Sequence, residues 1–283
     1  WPLLEKYQKK LRKTPQLFGE IILETYGKYK NKKRALAFLK ERRVRASDKG
    51  RLLQQVLLAE DLQSLHSKVR KAKLFTQSAY LLRKSLRKKL GLLSQMEEFA
   101  NKAIFQKDLL LQAASLDLLG EEYMKLYDQL VEIPAPRSLS ASQRKVYRKK
   151  YLQEIAIYKK KAAAFDRKAM ALWDKDSEIQ AYLNLIKALN PVSRRAFVRE
   201  FQFFATIAPR GVKRLFKNTL NDLRKKPRLE EVQKAWALLR KQPFELDYIK
   251  RAKALEQARG EETKVAYLNM RMLLVKPHQG GRR

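Results

Sequence analysis

The chain has 283 residues, 45% of them hydrophobic and 33% charged, a balance that excludes a disordered chain because apolar residues recur along its whole length. Only 9 Gly and 9 Pro are present, which disfavours all-β and βαβ folds, since these need many more chain breakers. The formal net charge of +35 predicts an acidic neighbour, with a generally basic proteome or compartment as the alternative explanation. The lack of Cys excludes disulfides, thiolate zinc sites and a cysteine nucleophile.

The first 91 residues carry helical periodicity. Thr14 followed by Pro15 is typical of an N-cap with proline at the first helical position. Ser47 and Asp48 predict the start of another helix, and the apolar spacing continues to Gly91, which we interpret as a helix end. This region therefore predicts a series of helical hairpins.

The middle of the chain contains the clearest break. Residues 92–131 predict two helices separated near Lys107 and Asp108, and two prolines preclude helix in the segment 133–140. Ser140 predicts the N-cap of a long helix that extends to Asp174. Its apolar residues step by three or four and so share one face. They are Tyr147, Tyr151, Ile155, Tyr158, Ala162, Phe165, Ala169 and Leu172.

The last third is divided at regular intervals by Pro191, Pro209, Pro227 and Pro243. Each interval has the length of one amphipathic helix and one turn, which is the spacing expected of stacked helical hairpins. The domain organisation predicted is an N-terminal helical-hairpin region at 1–132 and a proline-rich connection at 133–140. A C-terminal helical region with a long first helix follows at 141–276, with a disordered tail at 277–283.

Two short motifs resemble tetratricopeptide repeats, which are helix-turn-helix units of about 34 residues. Residues 119–123 resemble the Leu-Gly-x-x-Tyr element of the first repeat helix, and Tyr26 and Ala35 have the family's tyrosine-to-alanine spacing. The arrangement from Tyr127 through 133–139 into the long helix is similar to a segment of tetratricopeptide-like proteins in the envelope of predatory and gliding deltaproteobacteria. The resemblance covers residues 110–185, without the strict repeat register.

This resemblance implies an all-α fold in which helical hairpins stack as a tetratricopeptide-like solenoid or right-handed superhelix. It also implies a non-enzymatic scaffold or adaptor that binds a protein partner, in the periplasm or cell envelope. The cytoplasm is the alternative compartment. No apolar run approaches the roughly 20 residues that span a bilayer, so no transmembrane segment is expected. Whether a leader peptide precedes Trp1 is left open by the sequence.

No catalytic, cofactor-binding or metal-ligating residues are predicted. The chain has 2 His, His66 and His278, too few for a histidine metal site or a triad without help from distant residues. Four pairs of adjacent glutamates could suggest acid and base chemistry. We interpret them as structural, because three of the four lie at or near predicted helix starts, where carboxylates complement the helix dipole. The pairs are 97–98, 121–122, 230–231 and 261–262.

Basic clusters on the long helix predict a surface for a polyanion. The candidate binding residues are Lys145, Arg148, Lys149, Lys160 and Lys161. The anion is undecided among peptidoglycan, lipopolysaccharide, nucleic acid and an acidic protein surface, because net charge does not identify a partner. Tyrosines between the clusters could stack on bases, but burial in the core is the favoured interpretation.

Three functions remain open from the sequence. The leading hypothesis is a scaffold whose basic surface faces anionic envelope polymers. The alternative is a helical nucleic-acid-binding protein that uses the basic ridge, for which binding should weaken steeply with salt. A cell-wall-active enzyme is the third and weakest hypothesis.

Overall fold

The computed structural model describes residues 2–136, 138–189, 191–224, 229–259 and 261–275. These residues are helical or lie in connections between helices, with no strand among them, so the prediction of an all-α chain is confirmed. A 3₁₀-helix occupies Arg195–Phe197. The α-helices, in chain order, are α1 (Pro2–Leu11), α2 (Pro15–Tyr29), α3 (Lys32–Leu39), α4 (Arg42–Ala46), α5 (Asp48–Lys71), α6 (Ala79–Phe105), α7 (Leu109–Val131), α8 (Ala141–Trp173), α9 (Asp176–Ala188), α10 (Pro191–Arg194), α11 (Val198–Ile207), α12 (Arg210–Arg224), α13 (Leu229–Lys241), α14 (Leu246–Arg259) and α15 (Glu262–Val275).

Local sequence signals set most helix starts in the first two thirds of the chain. Pro15 occupies the first turn of α2, and Ser47 accepts a hydrogen bond from the Gly50 amide at 3.1 Å at the start of α5. Asp108 accepts from the Leu111 amide at 3.0 Å and begins α7. Ser140 and Gln143 form a reciprocal capping box at the start of α8. The predicted breaks near residue 108 and at 133–140 are therefore confirmed.

Two local predictions are wrong. Gly91 lies inside α6 and does not end a helix, because the helical packing of the flanking residues outweighs the roughly 1 kcal/mol that glycine costs in a helix. Thr14 precedes α2, but its side chain makes no capping hydrogen bond to the helix and its hydroxyl donates to the Leu11 carbonyl at 3.4 Å.

The chain forms two compact units. The first consists of residues 1–51, 184–198 and 218–283. In it, α2 packs against α3, α4, α10 and the 3₁₀-helix, and Phe18 meets Phe38 edge to face at 5.5 Å. The helices α13, α14 and α15 pack consecutively around a small apolar core that includes Leu239, Ile249 and Leu268. Both helix groups show the hairpin packing of neighbours that the periodicity predicts.

The second unit consists of residues 52–183 and 199–217. Its centre is the pair α7 and α8, which make the most extensive helix contact of the described chain. The two helices run antiparallel, since Leu130 lies beside Tyr151 while Gly120 lies beside Asp166. Gly120 permits this approach, because a Cβ there would lie 1.8 Å from an Asp166 carboxylate oxygen. The long helix α8 thus projects its first turns beyond the end of α7.

The predicted regions are continuous stretches of the chain on either side of the connection at 133–140. Each compact unit instead combines segments that are far apart in the sequence. The division at 133–140 stays a prediction. The predicted tail at 277–283 lies outside the described residues. Among the described helices, none combines the length and apolar character that crossing a bilayer requires.

Candidate binding groove beside the long helix

An open groove lies between the proline-containing connection and the first three turns of α8. Its volume is about 660 Å³. One side is formed by Ile133, Pro134 and Ala135, which follow the end of α7. The other side carries basic residues of α8, and the full lining is Glu132, Ile133, Pro134, Ala135, Arg144, Lys145, Arg148, Lys149 and Leu152. The groove therefore combines an apolar wall with a cationic one.

Hydrogen bonds to backbone carbonyls hold the two walls together. Arg148 donates to the Ile133 carbonyl at 2.8 Å and also to that of Val131. Tyr151 donates to the Leu130 carbonyl at 3.0 Å. Burial raises the pKa of the Tyr151 hydroxyl above its ordinary value, which keeps the hydroxyl protonated as a donor. Arg148 thus supplies donors to the carbonyls of Val131 and Ile133 where α7 ends, and Tyr151 adds a donor to the Leu130 carbonyl, which also accepts from the Ile133 amide.

The five candidate polyanion-binding residues do not share one environment. Lys145, Lys149 and Lys160 are exposed. Arg148 is half-buried by the carbonyl contacts described above. Lys161 lies beyond the groove, where its ammonium contacts Glu97 Oε1 at 3.0 Å and lies 5.0 Å from the centre of the Tyr123 ring. Two of the five cations thus have intramolecular partners.

The cations that line the groove are Lys145 and Lys149 together with Arg144 and Arg148. No described acidic residue forms an ion pair with Lys145 or Lys149, and Glu132 is the acidic residue in the lining. Arg144 donates through Nε to the Leu139 carbonyl at 3.0 Å. The arrangement leaves two free ammonium groups, one helical turn apart, facing an apolar wall.

The tyrosines of α8 are divided between core and surface. Tyr158 stacks on Tyr123 at 6.2 Å, as the core interpretation predicts. Tyr147 is 38% exposed, so the prediction of a fully buried stripe is wrong at this position. The Tyr147 ring stacks on that of Tyr151 at 5.9 Å, and the Arg148 guanidinium lies 6.0 Å from the centre of the Tyr151 ring. The Tyr151 ring thus packs against two side chains of its own helix.

Sequence reasoning did not select Arg144 or the apolar wall as site residues. The signal available was the position of the proline segment immediately before the basic helix, because a connection that cannot be helical must turn back across that helix. Arg144 belongs to the same basic cluster as Lys145 and was identifiable from it.

The glutamate pairs also differ from their predicted positions. The pairs 230–231 and 261–262 lie at helix starts, whereas 97–98 and 121–122 lie in the interiors of α6 and α7. The number at helix starts is therefore two and not three. Within the described residues, no group of three or more potential ligands lies close enough to hold a metal ion. The expectation of no resident metal or catalytic residue stays a prediction.

No protein-family model, curated protein or solved structure matches this chain.

Proposed function

We propose that the chain is a non-enzymatic helical scaffold that binds an extended acidic segment of a protein partner in the groove beside α8. The observation that carries this proposal is the pair of unpaired cations, Lys145 and Lys149, facing the apolar wall of residues 133–135. A partner would place carboxylates on the lysines and apolar side chains against the wall.

The spacing of the two lysines suits an extended chain. Residues four apart on a helix are separated by about 6 Å along its axis. Alternate residues of an extended peptide point to the same side and are about 6.6 Å apart. Carboxylates at alternate positions of the partner would therefore meet Lys145 and Lys149 in register, while the intervening side chains point elsewhere.

The engagement of Tyr151 favours a peptide over a nucleic acid. Single-stranded nucleic acids bind with their bases stacked on aromatic faces beside cations. Tyr151 does not line the groove, and it packs against Tyr147 and Arg148 and donates to a backbone carbonyl, so its ring offers little free stacking surface. Nucleic-acid binding through the basic ridge is the competing function.

We further propose that the consecutive helix pairs belong to a tetratricopeptide-like solenoid whose exposed cations face anionic envelope polymers. Two observations support this proposal. Successive helices pack on one another, as in α6 with α7 and α13 with α14. The net charge of +35 is far larger than solubility requires.

The test is fluorescence anisotropy with a labelled peptide that carries Glu at every second position. Lys145→Glu combined with Lys149→Glu should weaken binding at least tenfold. Lys168→Glu combined with Arg167→Glu is the charge-matched control, since both are exposed cations of the same helix about 30 Å from Lys149. This control should bind the peptide nearly as well as the unmodified chain.

A single-stranded oligonucleotide of the same length separates the two functions. Tighter binding of the oligonucleotide, with affinity falling steeply between 50 and about 200 mM salt, would establish the nucleic-acid function instead. An equal loss of peptide binding in the Arg167 and Lys168 double variant would show that only net charge matters and would refute the groove.

A further inference from the structure

A second, more enclosed cavity lies within the unit formed by residues 52–183 and 199–217. Its volume is about 640 Å³, and α5, α7 and α11 contribute its walls. The lining used in the following argument is His66, Arg70, Lys71, Glu121, Phe203 and Ile207. None of these residues belongs to the groove beside α8, so the cavity is a separate feature.

A buried charge system supports one wall of this cavity. His66 Nε2 lies 3.3 Å from Oε1 of Glu122, whose side chain is 1% exposed. Lys125 donates to the same oxygen at 3.1 Å and also pairs with Glu121. Burial disfavours the charged Glu122, but hydrogen bonds from His66 and Lys125 outweigh burial and hold its pKa below the ordinary value. Glu122 thus stays ionised, and Lys125 is a cationic partner of both glutamates.

The remaining charge at the cavity is positive. Arg70 and Lys71 are exposed in the last turn of α5, and no ion pair joins either of them to a described acidic residue. Lys213 donates to the carbonyl of Thr206, a residue of the cavity lining, at 3.4 Å, so a third cationic group lies near the rim. Arginine and lysine side chains are the usual donors to phosphate groups, and Arg70 and Lys71 both line this cavity.

The α11 side of the cavity carries two apolar side chains beside Thr206. Phe203 is buried and Ile207 is half-buried, and both line the cavity. Pockets that hold small organic molecules combine an apolar wall with a few convergent polar groups. We infer that this cavity binds a small phosphate monoester, with the phosphate on Arg70 and Lys71 and its aromatic or alkyl group against Phe203 and Ile207.

Calorimetric titration of the full chain with phenyl phosphate tests this inference. Phenyl phosphate should bind at least tenfold more tightly than inorganic phosphate, because only the ester reaches the apolar wall. Arg70→Gln combined with Lys71→Gln should weaken that binding at least tenfold. Lys68→Gln is the matched control, since Lys68 is exposed in the same last turn and does not line the cavity. It should leave the affinity unchanged.

The position of binding has an independent readout. The chain has 2 His, so histidine ring signals in NMR spectra are few, and His66→Gln identifies the one from the cavity. Phenyl phosphate should shift the His66 signal. The inference is overturned if phenyl phosphate does not bind, if inorganic phosphate binds equally well, or if the Lys68 variant loses as much affinity as the double variant. Substitution of Lys145 and Lys149 should not alter the binding of phenyl phosphate. The experiment can therefore refute the phosphate site without refuting the peptide groove beside α8, and the reverse.

Discussion

The Arg148 guanidinium lies against the end of α7, where Nη1 donates to the Ile133 carbonyl at 2.8 Å and Nη2 donates to the Val131 carbonyl. The α-helix ends at Val131, so these carbonyls have no partner inside the helix. One side chain of α8 therefore closes the preceding helix and fixes the connection that forms the apolar wall of the groove. A residue expected to bind a polyanion has a structural role.

Arg148→Ala should lower the free energy of unfolding by about 1 to 3 kcal/mol, because it removes charged hydrogen bonds and leaves partly buried carbonyls without donors. Lys145→Ala, which removes an exposed side chain, should change it by less than about 0.5 kcal/mol. Urea unfolding followed by circular dichroism measures both. Equal stability of the two variants would show that the carbonyl contacts contribute nothing.

Two glycines should respond oppositely to alanine. A Cβ on Gly50 would lie 1.9 Å from the backbone oxygen of Val44, so Gly50→Ala should cost about 2 kcal/mol or more through overpacking. A Cβ on Gly91 meets no atom within 4 Å, so Gly91→Ala should stabilise α6 by about 0.5 to 1 kcal/mol. Thermal unfolding midpoints compare the pair directly. A stabilised Gly50 variant would contradict the close approach of α4 and α5.

Asp108 predicts a pH dependence of stability. Burial raises its pKa to about 6, although the Leu111 and Leu110 amides hydrogen bond to the carboxylate and act in the opposite direction. A carboxyl group that binds its proton more tightly in the folded chain stabilises the fold at low pH. This contribution is lost as the pH rises from about 4 to about 6.

Asp108→Asn keeps an oxygen for the Leu111 amide but cannot ionise. Relative to this variant, the unmodified chain should lose about 1 to 3 kcal/mol of stability between pH 4 and about pH 6.5. Urea unfolding at several pH values gives the difference, in which other titrating groups such as Asp117 cancel. A difference that does not change with pH would show that Asp108 titrates normally.

Glu256 is fully buried in the first unit, where it accepts from the Trp236 indole at 2.7 Å and lies 3.4 Å from the Lys264 ammonium. Glu256→Ala should cost about 2 to 4 kcal/mol, since the indole N–H loses its acceptor and the nearby cations lose their counter-charge. Glu98→Ala, at an exposed helical position, is the control and should change stability little. Chemical denaturation followed by tryptophan fluorescence measures the effect, and similar costs for the two variants would refute it.

Much of the helical order was predictable from local chemistry. Asp108 and Ser140 mark helix starts because their side chains accept from backbone amides three residues away. Pro15 marks another, because the first turn of a helix does not need the amide hydrogen that proline lacks. Gly91 does not end α6 because glycine weakens a helix only slightly, and its neighbours on α6 are buried and continue the helix. Sequence patterns therefore predict a helix boundary correctly where the contacts that fix the boundary are made by residues close in sequence.

The candidate site was only partly predictable. Exposure of Lys145 and Lys149 follows from their position away from the apolar face of α8. Predicting the apolar wall of the groove would have required knowledge of the path that the chain takes after α7. The two prolines exclude a helix there but do not define that path. The proposed phosphate-binding cavity forms where α5, α7 and α11 meet. No spacing in the sequence predicts that Arg70 and Phe203 line the same cavity.

The sequence by itself determined the all-helical character, the large positive charge and most helix starts, because these depend on composition and on residues within one turn of each other. Only the tertiary structure decided which cations have a partner. Lys161 pairs with Glu97, which is 64 residues away in the sequence. A charged side chain takes its partner from whichever helix packs beside it, and that choice is made by the burial of apolar faces, which the periodicity of one helix does not specify.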